Sequence, residues 1–277
     1  MFDINNGFIQ KLHLKINSCF SIFMKKIFGY EQHQVVICGF PRGGTSLLYN
    51  MVSSTLPNFK YTNFEKYFIF NLHKIGNIAS KAPLDIMHLD YIDSFNINQK
   101  KLIILIVVRD IRDVITSRHP IYPDNYFIGY DHSWWPQNES LTEWNYDAPG
   151  VLDVHNSIVK FIDRPDTMLI KYEDLVCKSD VIQNNIESMF NLKFTSLFSE
   201  FHMRSEKHAY NYSGRYAPKY SELVFENKKV SSERVNRWMN DKQSIERIKG
   251  QFIACPELFS VLEYYGYEKS RRWFESL

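Results

Sequence analysis

Val35-Val36-Ile37-Cys38-Gly39-Phe40-Pro41-Arg42-Gly43-Gly44-Thr45-Ser46 runs from an apolar segment into a glycine-rich turn. Residues 35–39 are short, apolar and β-branched, which predicts a buried strand. Residues 45–56 read as a helix, so a Gly-rich turn joins a strand to a helix. The spacing Gly39-x4-Gly44 is that of a phosphate-cradling loop. Glycine lets successive N–H groups turn toward one anion, and the helix start adds partial positive charge. Thr45 and Ser46 supply hydroxyl donors. A loop built for a nucleoside triphosphate needs Lys where Thr45 stands, so an ordinary ATPase or GTPase is disfavoured. The cation here is Arg42, inside the loop. That arrangement suits a donor with one 5′-phosphate bearing a transferable group. A Gly-rich turn that holds no ligand is the plain structural alternative.

Outward from this loop, Leu102-Ile103-Ile104-Leu105-Ile106-Val107-Val108 is a continuous apolar run, suited to a parallel strand covered on both faces. Residues 110–118 read as a helix, 167–171 as a third strand, and the region near 179–190 as a further helix. Strands separated by helices imply right-handed crossovers and a parallel sheet. The expected class is α/β, a three-layer parallel β-sheet flanked by helices with a P-loop-like phosphate-binding loop. The 277 residues suit one domain: an amphipathic helical segment at 1–30, a cofactor-binding core at 35–176 and a helical C-terminal part at 177–277. Residues 119–150 form a Pro- and aromatic-rich stretch, too long and too aromatic for an idle connection. Residues 203–230 read as a polar, Tyr- and Lys-rich loop, and 231–267 as two or three helices.

Composition narrows the function classes. Apolar residues make up 44%, enough for a sizeable core. The formal charge of +2 implies no broad polyanion-binding field, and no nucleic-acid partner is expected. Cys19, Cys38, Cys177 and Cys255 lack the spacing of a metal knuckle or redox pair. Reduced thiols and a cytoplasmic location are the expectation, with no metal. No run of 18 apolar residues exists. Residues 8–28 do show Phe8, Leu12, Ile16, Phe20, Phe23 and Ile27 at helical spacing among lysines. Two readings stand for them, a helix lying on a membrane surface and a helix packed on the domain.

Three segments together resemble the sulfotransferases that use 3′-phosphoadenosine 5′-phosphosulfate. Phe40-Pro41-Arg42-Gly43-Gly44-Thr45-Ser46 is similar to their 5′-phosphosulfate loop. Ile106-Val107-Val108-Arg109-Asp110-Ile111-Arg112-Asp113-Val114-Ile115-Thr116-Ser117 resembles their 3′-phosphate segment. The resemblance implies that Arg109 and Ser117 hold the 3′-phosphate. Leu169-Ile170-Lys171-Tyr172-Glu173-Asp174-Leu175 is similar to a Tyr-Glu-Asp-Leu segment whose tyrosine lies by the adenine, which implicates Tyr172. The likeness spans residues 35–176, and the last third of the chain matches only loosely.

Sulfuryl transfer, like phosphoryl transfer, passes a group in line between two heteroatoms. It needs a cation at the leaving oxygen and a base at the acceptor. Arg42, with Gly43, Gly44, Thr45 and Ser46 around it, is the candidate cation of the donor loop. Glu65 stands where several members carry the base, although the local match is shifted by a residue or two. Lys81, in Ser-Lys-Ala-Pro, resembles a lysine near the family's active site. Arg234 and Arg237 lie in a Ser-to-Arg-Trp pattern found in bacterial members, where a loop closes over the donor. Each residue has a structural alternative: a salt bridge of Arg109 with Asp110 or Asp113, a core position for Tyr172, and simple exposure for Glu65 and Lys81. His73, His88, His119, His132 and His155 are the other candidate bases. The expected function is sulfuryl transfer from this donor to an acceptor hydroxyl or amine. A P-loop nucleotide kinase or hydrolase and an inactive nucleotide-binding protein are the alternatives. Aromatic side chains stack on sugar faces, so residues 119–150 favour a saccharide or glycoconjugate acceptor over a lipid or phenol.

Overall fold

The computed structural model describes residue 23 and residues 31–62, 65, 67–119, 122–136, 144–203 and 230–277. Apart from Phe23, the amphipathic segment 8–28 lies outside the described residues, as do residues 204–229 of the polar loop. In chain order the strands are β1 (His33–Gly39), β2 (Lys60–Tyr61), β3 (Ile78–Lys81), β4 (Lys101–Val108), β5 (Arg118–His119), β6 (Tyr122–Tyr126), β7 (His132–Pro136), β8 (Trp144–Pro149) and β9 (Thr167–Lys171). One parallel sheet takes the order β2-β3-β1-β4-β9. From β1 the chain fills one side of the sheet with β2 and β3, then returns beside β1 as β4. The order reverses there, and loops leaving the carboxyl ends of β1 and β4 part to open a crevice.

Both faces of the central strands are apolar, as a covered parallel sheet requires. Val35, Ile37, Ile103, Leu105 and Val107 join one core with α1 (Thr45–Thr55). That helix turns Leu48, Met51, Val52 and Thr55 inward at three- and four-residue spacing. Val36, Cys38, Ile104, Ile106 and Val108 join the other core. A 3₁₀ helix at Pro83–Tyr91 and the helix that follows β8, Val151–Phe161, cover that face. The C-terminal helices Lys242–Ala254 and Glu257–Tyr264 add Ile248, Phe252, Leu258 and Leu262 to the same core. Helix, sheet and helix give the three layers expected from the sequence.

Several elements differ from the sequence reading. β3 was not anticipated, because Ile78-Ala79-Ser80-Lys81 shows no strand pattern of its own. Register with β1, from Gln34↔Ile78 to Ile37↔Lys81, makes it a strand. The helix expected at 110–118 shortens to Ile111–Ile115. Asp110 caps its start by accepting from the Arg112 N–H at 2.9 Å. Its end turns at Ser117, whose N–H donates to the Val114 carbonyl at 3.1 Å. The aromatic stretch after it forms two antiparallel ribbons, β5–β6 and β7–β8. Before its two helices the tail makes two 3₁₀ turns, Ser232–Arg234 and Arg237–Asn240.

Candidate active site

The loop after β1 is shaped by two close approaches and one left-handed residue. Gly39 sits at φ 125, and a Cβ there would meet the Val107 carbonyl oxygen at 2.1 Å. Only glycine lets β1 end so near β4, where the Phe40 N–H donates to that carbonyl at 3.1 Å. Arg42 adopts φ 62, a left-handed conformation that costs a non-glycine residue roughly 1 kcal/mol. Gly44, at φ 103, caps α1, and a Cβ there would meet Tyr172 Cδ2 at 2.4 Å. Among the described residues no side chain caps this 11-residue helix, and its first turn holds no carboxylate. Its N–H groups and the positive end of its dipole are left for an anion.

Arg42, Arg109 and Ser117 meet around one cavity of about 440 Å³. Arg42 Nε donates to Ser117 Oγ at 2.9 Å, tying the loop after β1 to the turn after β4. Arg109 is 9% exposed and rests 4.4 Å over the Tyr172 ring. Its Nη2 donates to Asp113 Oδ2 at 3.0 Å and to the Arg234 carbonyl. The buried Nε of Arg109 has no partner among the described residues. An unmet buried donor costs about 1–3 kcal/mol, so the site is arranged to gain from an anion acceptor. Arg118, Arg234 and Arg237 complete five arginines on the cavity wall, against the carboxylates of Asp113 and Asp241.

A second cluster lies at the carboxyl end of β3. Lys81 is 5% exposed, and its Nζ donates to Ser46 Oγ at 3.2 Å and to Glu65 Oε1 at 2.5 Å. The Glu65 side chain is 57% exposed. Lys81 therefore links the first turn of α1 to a solvent-exposed carboxylate. Beneath it Asp85 is fully buried, both oxygens accepting from the Phe68 N–H at 3.1 and 3.2 Å. Burial holds the Asp85 carboxyl well above the usual carboxylate range, the Phe68 N–H opposes this, and the Glu65 charge adds to it.

The structure thus gathers the sequence candidates into two groups, Arg42 with Arg109 and Ser117, and Ser46 with Lys81 and Glu65. Tyr172 belongs to neither wall. It is buried between Gly44 and Arg109, propping both, and its hydroxyl is pushed up by burial against the Arg109 charge. Arg234 and Arg237 are exposed at the cavity mouth. His88 and His155 are half-buried, with burial holding both below the usual imidazole range. His155 Nδ1 lies 3.0 Å from the Tyr265 hydroxyl, and His88 lies edge-on to Tyr67. Trp238 and Asp113 also line the cavity. The sequence offers Asp113 only as an ion-pair partner for Arg109, a pair that forms at 3.0 Å. No local pattern signals contacts that reach from it 123 and 125 residues along the chain. Among the described residues no group of three or more His, Cys, Asp or Glu gathers as for a metal ion.

An open parallel sheet with a phosphate-type loop and an arginine-lined cavity at its reversal point defines an α/β protein built to hold an anionic ligand. The model of the sulfotransferase domain matches residues 32–249, most of the chain, which belongs to that family. Comparison with curated protein sequences gives no match. Mouse sulfotransferase SULT7A1, solved in complex with PAP, is 14% identical at a TM-score of 0.48, covering 84% of this chain and 89% of its own. The sulfotransferase domain from the curacin biosynthetic pathway is 13% identical at 0.41, covering 78% and 95% respectively.

Proposed function

We propose that the protein transfers a sulfuryl group from 3′-phosphoadenosine 5′-phosphosulfate to an acceptor hydroxyl or amine. The observation that carries this reading is the convergence of Arg42, Arg109 and Ser117 on one cavity beside the uncapped start of α1. The cavity would take the 3′-phosphate, which a guanidinium grips through paired N–H groups while remaining charged. The loop and helix start would take the 5′-phosphosulfate. Gly43, Gly44, Thr45 and Ser46 shape that cradle. Arg42, bridging the two, stabilises charge on the leaving phosphate. Arg234 and Arg237 close the mouth over the nucleotide.

In the reaction the acceptor oxygen or nitrogen bonds to sulfur while the bond from sulfur to the phosphate oxygen breaks. The acceptor proton passes to Glu65, and adenosine 3′,5′-bisphosphate leaves. Lys81 fits a second cation at the reacting group, since it already touches both Ser46 and Glu65. A saccharide acceptor is the reading that the tryptophans at 134, 135 and 144 favour. Tyr126 is already stacked under Arg118 and Arg247, and Phe127 and Tyr130 pack on the core, so these three are less suited to an acceptor.

Calorimetric titration tests the donor assignment. Adenosine 3′,5′-bisphosphate should bind at least tenfold more tightly than adenosine 5′-monophosphate, the gain expected of one charge-assisted phosphate contact. Equal affinities would remove the 3′-phosphate site from the reading.

A further inference from the structure

The reading above leaves Asp113 without a role, although this carboxylate stands on the wall of a cavity meant for anions. A carboxylate there repels an arriving phosphate, so its presence asks for a compensating use. Its side chain is 1% exposed and takes three hydrogen bonds. Arg109 Nη2 donates at 3.0 Å, the Asn236 N–H at 2.9 Å and the Trp238 N–H at 3.2 Å. A simple ion pair would need only the first. The other two come from the start of the 3₁₀ turn that carries Arg237 and Trp238, which also line the cavity. The same Arg109 nitrogen also donates to the Arg234 carbonyl, so the guanidinium is tied to the preceding turn, Ser232–Arg234, as well. The Trp238 ring continues the tie, lying 4.5 Å from the Arg112 guanidinium.

We propose that Asp113 is a positioning residue that sets the preference for a nucleotide bearing a 3′-phosphate, by fixing the Arg109 guanidinium and anchoring the turn at residues 236–238 beside it. The inference rests on the donor reading above. Asp113 does not touch the nucleotide. It acts through Arg109 and through the turn that carries Arg237. Asp113→Ala frees both the guanidinium and the turn. Asp113→Asn keeps the shape and an oxygen for one of the two backbone donors, which bind different oxygens of Asp113, but removes the charge that orients Arg109.

The test titrates wild type, Asp113→Ala and Asp113→Asn with adenosine 3′,5′-bisphosphate and with adenosine 5′-monophosphate. Wild type should prefer the bisphosphate. Asp113→Ala should lose about tenfold or more of bisphosphate affinity, with monophosphate affinity little changed, so that the ratio collapses. Asp113→Asn should fall between them, and it carries the same test if the alanine variant does not fold. In hydrogen exchange, the Asn236 and Trp238 amides should exchange faster in Asp113→Ala than in wild type. A purely structural role would lower the melting temperature and leave the ratio intact. Variants that keep the wild-type ratio therefore overturn this inference alone. A wild type without any preference overturns the donor reading and this inference together.

Discussion

Arg42 and Arg109 are both arginines near one cavity, yet their surroundings separate their effects. Arg109 is buried, stacked on Tyr172 and held by Asp113, at a distance from any reacting bond in the proposed reading. Arg109→Ala should therefore weaken binding of adenosine 3′,5′-bisphosphate by about 1.5–3 kcal/mol, with a smaller effect on turnover at saturating donor. Titration and single-turnover kinetics check it, and normal bisphosphate affinity would exclude the assignment. Arg42 lies in the loop that would hold the transferring group, so Arg42→Ala should reduce turnover by roughly 10²–10³. Its bond to Ser117 adds a binding defect to that loss. Glu65→Gln keeps volume while removing the proton acceptor and should cost roughly 10²–10⁴. Acceptors of lower pKa lose their proton more easily, so across an acceptor series the Glu65→Gln defect should shrink and the Arg42→Ala defect should not. Near-full activity of Glu65→Gln on every acceptor would move the base elsewhere.

At the scale of elements, the strands show how far sequence reaches. β1 and β4 were legible because both their faces are apolar and the Gly39 loop follows one of them directly. Arg109 and Ser117 stand out only through the resemblance of the segment after β4 to the family, since their spacing alone signals nothing. β3 was not legible, since two of its four residues are polar and pairing with β1 decides its conformation. With β3 unseen, the meeting of Lys81, Ser46 and Glu65 could not be foreseen either. The same limit applies at the start of β4. Lys100 is buried at 3% exposure, its Nζ reaching the Asn71 carbonyl at 3.4 Å, with no carboxylate partner among the described residues. Burial, with Lys74 and Lys60 nearby, pushes this ammonium down to about 7. A folded-state value below the unfolded one, about 10.4, means the unfolded chain binds the proton first. The contribution of Lys100 to stability is present above that unfolded value and lost as pH falls to about 7. Lys100→Met should be more stable than wild type at neutral pH, by at most about 4–5 kcal/mol, and the gap should close toward pH 10. Urea unfolding across this range measures it, and a gap independent of pH would contradict it.

For the whole molecule, the two sheet faces, the loops at the reversal point and the C-terminal turns act together. Arg112 shows the connection: it pairs with Asp110 and Glu268 and lies between Trp238 and Trp273, joining the β4 loop to the tail. A ligand held between such parts should stabilise the entire fold. At 100 times its dissociation constant, adenosine 3′,5′-bisphosphate should add about 2.7 kcal/mol, visible as a raised melting temperature. A shift no larger than that given by adenosine 5′-monophosphate at the same concentration would count against the 3′-phosphate site. Gly44 and Tyr172 belong to this scale too, since the missing Cβ of one is the space that the ring of the other fills. Neither position can drift alone. A lineage that acquired a side chain at 44 would have to trim the ring at 172 and surrender the surface on which Arg109 rests. Two residues 128 places apart are therefore inherited as a single unit, and any redesign of the donor pocket must alter them in the same step.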